Sequence, residues 1–230
     1  MTKTPPRHFA ALKDRQRDIR AGFPPDFGLR IHRMISWIGR AEAEAEDGDP
    51  AAAFVFYWIA FNAAYSDGAD LDAPAGERQR FAGFFAGLLD CDADHLIHRA
   101  LWTDGAAPVR ALVDSPFLFS PFWTHQHGGG AADWESRFDK ARTVFESALA
   151  DDDTATALSV LFDRLYMLRN QLMHGGATWG SSVNTAQLES GARLLGAILP
   201  AVATVMMDHP AHDWGRPFFP VVGDMSGRSR

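Results

Sequence analysis

Cysteine is almost absent: Cys91 stands alone among 230 residues. That excludes an internal disulfide and a cysteine-rich zinc site, and it predicts a reducing, cytoplasmic setting. A secretory leader is not in sight either, because Met1-Thr2-Lys3-Thr4-Pro5-Pro6 has no apolar core. No apolar run reaches the ~20 residues of a membrane span, so no membrane partner is expected. The most apolar segment, Leu194 to Met207, falls short and carries Pro200, which predicts a buried, kinked helix. Positive charge is also scarce, with 22 Lys and Arg against 29 Asp and Glu, for a net charge of −7. This argues against general electrostatic adhesion to nucleic acid and leaves room only for a local basic cleft. Strand signals are few, a Gly-Lys phosphate loop is missing, and Ser181-Ser182 lacks a nucleophile-elbow context.

What remains is helical periodicity. Leu29 to Glu46 carries Ile31, Ile35 and Ile38 on one side. Asp49-Pro50 supplies a cap and a first-turn proline for a helix from Ala51 to Ser66, closed by an Asp67-Gly68 turn. Within it Trp58, Phe61, Asn62 and Tyr65 share a face; Asn62 is the polar member and needs partners, from the core or from a cleft. Further helices are expected over Arg78 to Leu89, Ala93 to Trp102, Ala107 to Val113, Asp133 to Ala150, Thr154 to His174 and Gln187 to Asp208, with Asp151-Asp152-Asp153 as a capping turn. Pro116 to Trp123 is an aromatic loop, readable as a lid on the core or as a surface for stacked bases. The fold class is therefore all-α, one helical bundle with extra helices and irregular loops. An N-terminal extension covers 1–28, the helical domain 29–222 and a tail 223–230.

The chemistry concentrates in Arg169-Asn170-Gln171-Leu172-Met173-His174-Gly175-Gly176. Leu158, Leu161, Phe162, Leu165, Leu168 and Leu172 mark a core-facing stripe, and a count of about 100° per residue places Arg169 inside it. A guanidinium there needs an anionic partner, a cleft or a second subunit. His174 lies roughly 140° around and about 7.5 Å along an ideal helix from Arg169, so the two side chains diverge on one straight helix. A left-handed cap at Gly175-Gly176 or a two-fold dimer would bring them together. His174 is a candidate acid or base near neutral pH; a capping role is the other reading. His95-x-x-His98, His125-x-His127 and His209-x-x-His212-Asp213 are weak metal patterns, with surface or loop placement the expectation.

Arg-Asn-x-x-x-His, present as Arg169-Asn170 through His174, resembles the signature of the HEPN superfamily of all-helical domains, many of which are metal-independent endoribonucleases. The longer run Arg164 to Gly176 is similar to the Apea-like HEPN branch. Trp58-Ile59-Ala60-Phe61-Asn62-Ala63-Ala64-Tyr65 resembles the aromatic helix of that branch, and Gly175 through Asn184 followed by Trp214-Gly215-Arg216-Pro217 resembles its ending. The likeness implies a HEPN-like bundle acting as a homodimer with composite sites, cleaving RNA and not DNA through the ribose 2′-hydroxyl, without metal or other cofactor. Arg169, Asn170 and His174 would be catalytic, with Asn62, Tyr65, Gly175 and Gly176 binding or supporting, and a role in defence or stress response is implied. The alternative is a non-catalytic HEPN-like dimer binding RNA, a nucleotide or a partner protein. One feature departs from antitoxin-paired HEPN toxins, in which a Tyr soon after the His is modified: here Gly175-Gly176-Ala177-Thr178-Trp179 follows.

Overall fold

The structure, a computed structural model, describes residues 8–67, 76–104 and 106–221. The tail 223–230 and Gly68 of the expected turn lie outside them. The described residues form ten α-helices and no strand, with one isolated bridge between Asp67 and Pro217. The all-α expectation is met.

Helix α1 (Phe9–Ile19) lies within the segment read as an extension, yet it docks on α2 (Pro25–Glu46) and α10 (Thr185–Asp208). Two contacts hold it. The buried Glu42 carboxylate accepts from the His8 and Phe9 amides at 2.7 and 3.2 Å, taking up donors that a helix start leaves unpaired. The Phe9 ring covers Gly39, where a Cβ would come within 2.5 Å of it.

Helix α3 (Pro50–Tyr65) begins as the sequence indicates, with the Asp49 carboxylate accepting from the Ala52 amide at 2.9 Å and Pro50 in the first turn. It packs against α2 and α10, and so buries more than one face. The phenol of Tyr57 is enclosed between them; burial pushes its pKa well up, and the Glu42 charge adds to that. Trp58, Phe61 and Tyr65 are buried, and the Phe61 ring lies 4.6 Å from both Tyr65 and Phe162. Helix α4 (Glu77–Cys91) adds Phe81 and Phe85 to the same aromatic core.

Two expectations change here. The helix expected from Ala93 starts later, as α5 (Leu96–Arg99) continued by a π-helical turn (Ala100–Asp104). The buried Asp92 carboxylate sets that start by accepting from the Leu96 and Ile97 amides at 2.7 and 2.8 Å. The aromatic stretch is more ordered than a loop. After α6 (Ala106–Val113) it forms a 3₁₀ turn (Pro116–Leu118) and α7 (Ser120–Gln126), which packs on α8 (Trp134–Ala150).

Helix α9 (Thr154–Met173) opens on an Asp153 cap and is flanked by α4, α6, α8 and the Pro116–Leu118 turn. Helix α10 is 24 residues long and carries Pro200 in its interior without ending there. Its apolar stretch exceeds the run read from the sequence and is long and apolar enough to cross a membrane; in this fold most of it is buried against α2, α3 and α6.

Candidate functional site

The arginine that the core of α9 encloses is Arg164, not Arg169. Arg164 is 3% exposed, with its guanidinium carbon 4.5 Å from the Phe119 ring centre and 5.4 Å from that of Phe138. The angular reading missed this because α9 is covered on several sides along its middle and emerges only near its end. Arg169, one turn further on, is half-buried. Its Nη1 donates to Oδ1 of Asn170 at 2.9 Å, its guanidinium carbon sits 6.0 Å from the Tyr166 ring centre, and its buried Nε finds no acceptor among the described residues.

The end of α9 is a complete left-handed cap. Gly175 has φ +70°, its amide donates to the Leu172 carbonyl at 3.1 Å, and the Gly176 amide reaches the Gln171 carbonyl at 2.7 Å. These two bonds satisfy carbonyls that the last turn leaves open. Gly175 and Gly176 are thus cap residues first. A Cβ at Gly176 would approach the Gln171 carbonyl oxygen to 3.0 Å. His174 is the capping residue, and the cap leaves its imidazole exposed.

That imidazole lines an open cavity of about 640 Å³ together with Asn170, Gln171, Phe117, Trp123 and His127. One carbonyl builds the wall: the Phe117 oxygen accepts from the Gln171 side-chain amide and from the Trp123 indole, each at 2.7 Å. The aromatic segment is therefore clamped to the last turn of α9. From the sequence His127 reads as a loop residue. Its place here depends on α7, whose C-terminal cap is His127 itself. Phe117 and Val183, which line the cavity, expose large apolar side chains; so do Met173 and Trp179, the latter to about 80%. The Trp179 indole also donates to the Asp49 carboxylate at 2.9 Å, fastening the segment after α9 to the start of α3. Hydrogen bonds from the Ala52 amide and that indole hold the Asp49 carboxyl below the usual carboxylate range.

Arg169 is not among the residues that line this cavity. Nor are Asn62 and Tyr65, because α3 runs antiparallel to α9: Phe54 and Leu168 meet over Gly191, whereas Trp58 and Phe61 meet Phe162. Asn62 and Tyr65 sit toward the other end and line a second cavity, of about 520 Å³, with Arg30, Arg33 and Arg80. Of the two placements open for Asn62, core or the cleft beside His174, the cleft is therefore not the one observed. Tyr65 is packed among Phe61, Phe81 and Phe84.

Among the described residues, His, Cys, Asp and Glu nowhere gather in a group of three or more that could hold a metal. His98 faces Asp152 at 3.3 Å, and His212 lies 4.4 Å from the Trp214 ring.

In comparisons with known proteins, no family model, no curated protein and no solved structure matches the chain.

Proposed function

We propose that the chain is a HEPN-type endoribonuclease that cuts RNA through the ribose 2′-hydroxyl. The observation that carries this reading is the sharing of one solvent-open cavity by His174, His127 and Asn170 beneath an aromatic wall. Transesterification at a ribose needs one group to take the 2′-hydroxyl proton and another to return a proton to the departing 5′-oxygen. Two imidazoles fit that division of labour at neutral pH. Phe117 and Trp123 offer flat faces to unstacked bases, as recognition of single-stranded RNA requires. Asn170 orients the phosphate or an imidazole, and Arg169 holds it through the 2.9 Å bond.

The negative charge that builds on the phosphate calls for a cation. In this reading Arg169 supplies it from a second copy of the chain, in a composite site at a two-fold interface. The exposed apolar side chains of Phe117 and Val183 on that cavity suit such an interface. The chain would work in a reducing, cytoplasmic setting, in defence or stress response.

A second reading is a non-catalytic dimer that binds RNA, a nucleotide or a partner protein. It is favoured by the commitment of Arg169 to Asn170 and Tyr166, outside the cavity.

Single-stranded RNAs incubated with the full chain in a chelator separate the two. Cleavage that His174→Ala or His127→Ala lowers by a factor of ~10² or more supports the enzyme. Binding without cleavage supports the module.

A further inference from the structure

The second cavity lies at the C-terminal end of α3, away from His174, and its chemistry is distinct. In a chain of net charge −7 it gathers three arginines, Arg30, Arg33 and Arg80. Arg30 is 1% exposed and forms the floor; its Nη1 donates to the Ala63 and Ala64 carbonyls at 3.1 and 2.6 Å, while Nε and Nη2 find no acceptor among the described residues. Burial pulls its pKa down, and the charges of Asp67 and Asp26 oppose that. A buried guanidinium with open donors is costly unless an anion completes it. Arg33 is half-buried, and its Nη1 donates to the Phe219 carbonyl at 2.6 Å, which draws the segment Pro217 to Phe219 across the cavity.

Two further features narrow the ligand. Oδ1 of Asn62, on the cavity wall, is buried and accepts no hydrogen bond among the described residues, so an N–H or O–H donor of an occupant that reaches it would satisfy it. The walls are flat and aromatic: Trp37, stacked on Phe56 with ring centres 5.5 Å apart and planes 17° apart, faces the space that Phe218 and Phe219 also line. Guanidinium groups in a fork geometry suit phosphate oxygens, and a cavity of about 520 Å³ is of small-ligand size.

We infer that this cavity binds a nucleoside monophosphate, with its phosphate on Arg33 and Arg80 above the Arg30 charge, its base against Trp37, and a donor of the base or sugar on Asn62. The inference does not depend on RNA cleavage at His174.

Calorimetric titration of the full chain with the four nucleoside 5′-monophosphates, the matching nucleosides and inorganic phosphate tests it. At least one monophosphate should bind, more tightly than its nucleoside and than phosphate. Arg33→Glu should weaken it about tenfold or more, and Trp37→Ala should also weaken it, with thermal melts showing both variants folded. His174→Ala should bind as the parent does, which separates this site from the cleavage site. The inference is overturned if none of the four binds at millimolar concentration, if nucleoside or phosphate alone binds equally well, or if folded Arg33→Glu binds unchanged.

Discussion

Arg169 is tied to its neighbour Asn170, Nη1 to Oδ1 at 2.9 Å, and not to His174. Asn170 lines the cavity that His174 also lines, whereas Arg169, though bonded to Asn170, does not. A single chain therefore holds two parts of the motif apart. On the composite-site reading, Arg169→Ala and His174→Ala homodimers are each nearly inactive, and mixing them with subunit exchange restores about a quarter of the parental activity on random pairing, through one intact site in half of the dimers. Size-exclusion chromatography with light scattering should show a dimer, and an active monomer at assay concentration would remove the composite site.

Gly175 holds φ +70° at the cap that presents His174. Gly175→Ala should cost about 1 kcal/mol in chemical denaturation, and cleavage should fall more than stability does, because the imidazole is placed by that turn. Equal activity would show that the turn does not position the histidine.

Asp49 caps α3 and receives the Trp179 indole. Asp49→Ala should destabilise the fold by about 0.5–2 kcal/mol at neutral pH. Its carboxyl titrates below the ordinary value of 3.8 in the folded chain, so its contribution is full above that value and is lost as pH falls through the lower folded one. The gap between parent and variant melting temperatures should hold from neutral pH to about pH 5 and close below the usual carboxylate range; a gap that widens in acid would contradict the assignment.

Gly191 of α10 lies under the Phe54 ring, and a Cβ there would meet two ring carbons at 2.9 Å and a Leu168 methyl at 3.1 Å. Phe54 and Leu168 are fully buried, so neither can swing away. Gly191→Ala should lose about 1–3 kcal/mol of stability, measured by urea unfolding, despite alanine's better helix propensity. A stabilised variant would mean that α3, α9 and α10 pack less closely at this point.

The helices were legible because their apolar spacing and caps are local. Asp49-Pro50 and Asp153 mark starts that the structure keeps, and Gly175-Gly176 marks the end of α9. What was not legible depends on neighbours. Arg164 is enclosed because the Pro116–Leu118 turn and α8 cover a side of α9 that periodicity assigns to solvent. Nothing in the linear sequence separates Asn62 from His174, yet the antiparallel run of α3 and α9 puts them in different cavities. His127 carries no signal of its own; only the clamp from Phe117 to Gln171 brings its segment to the cavity.

The central claim is attack by a ribose 2′-hydroxyl at the His174 cavity. The most direct measurement is cleavage, in a chelator, of an RNA mapped for its cut position and of the same RNA carrying one 2′-deoxy substitution at the nucleotide 5′ to the cut, with the ends read by mass spectrometry. The unsubstituted RNA should carry a cyclic phosphate, with no cut at the substituted position and loss of the cut with His174→Ala. Equal cleavage of the substituted RNA, or undiminished cutting by a folded His174→Ala chain, would contradict it.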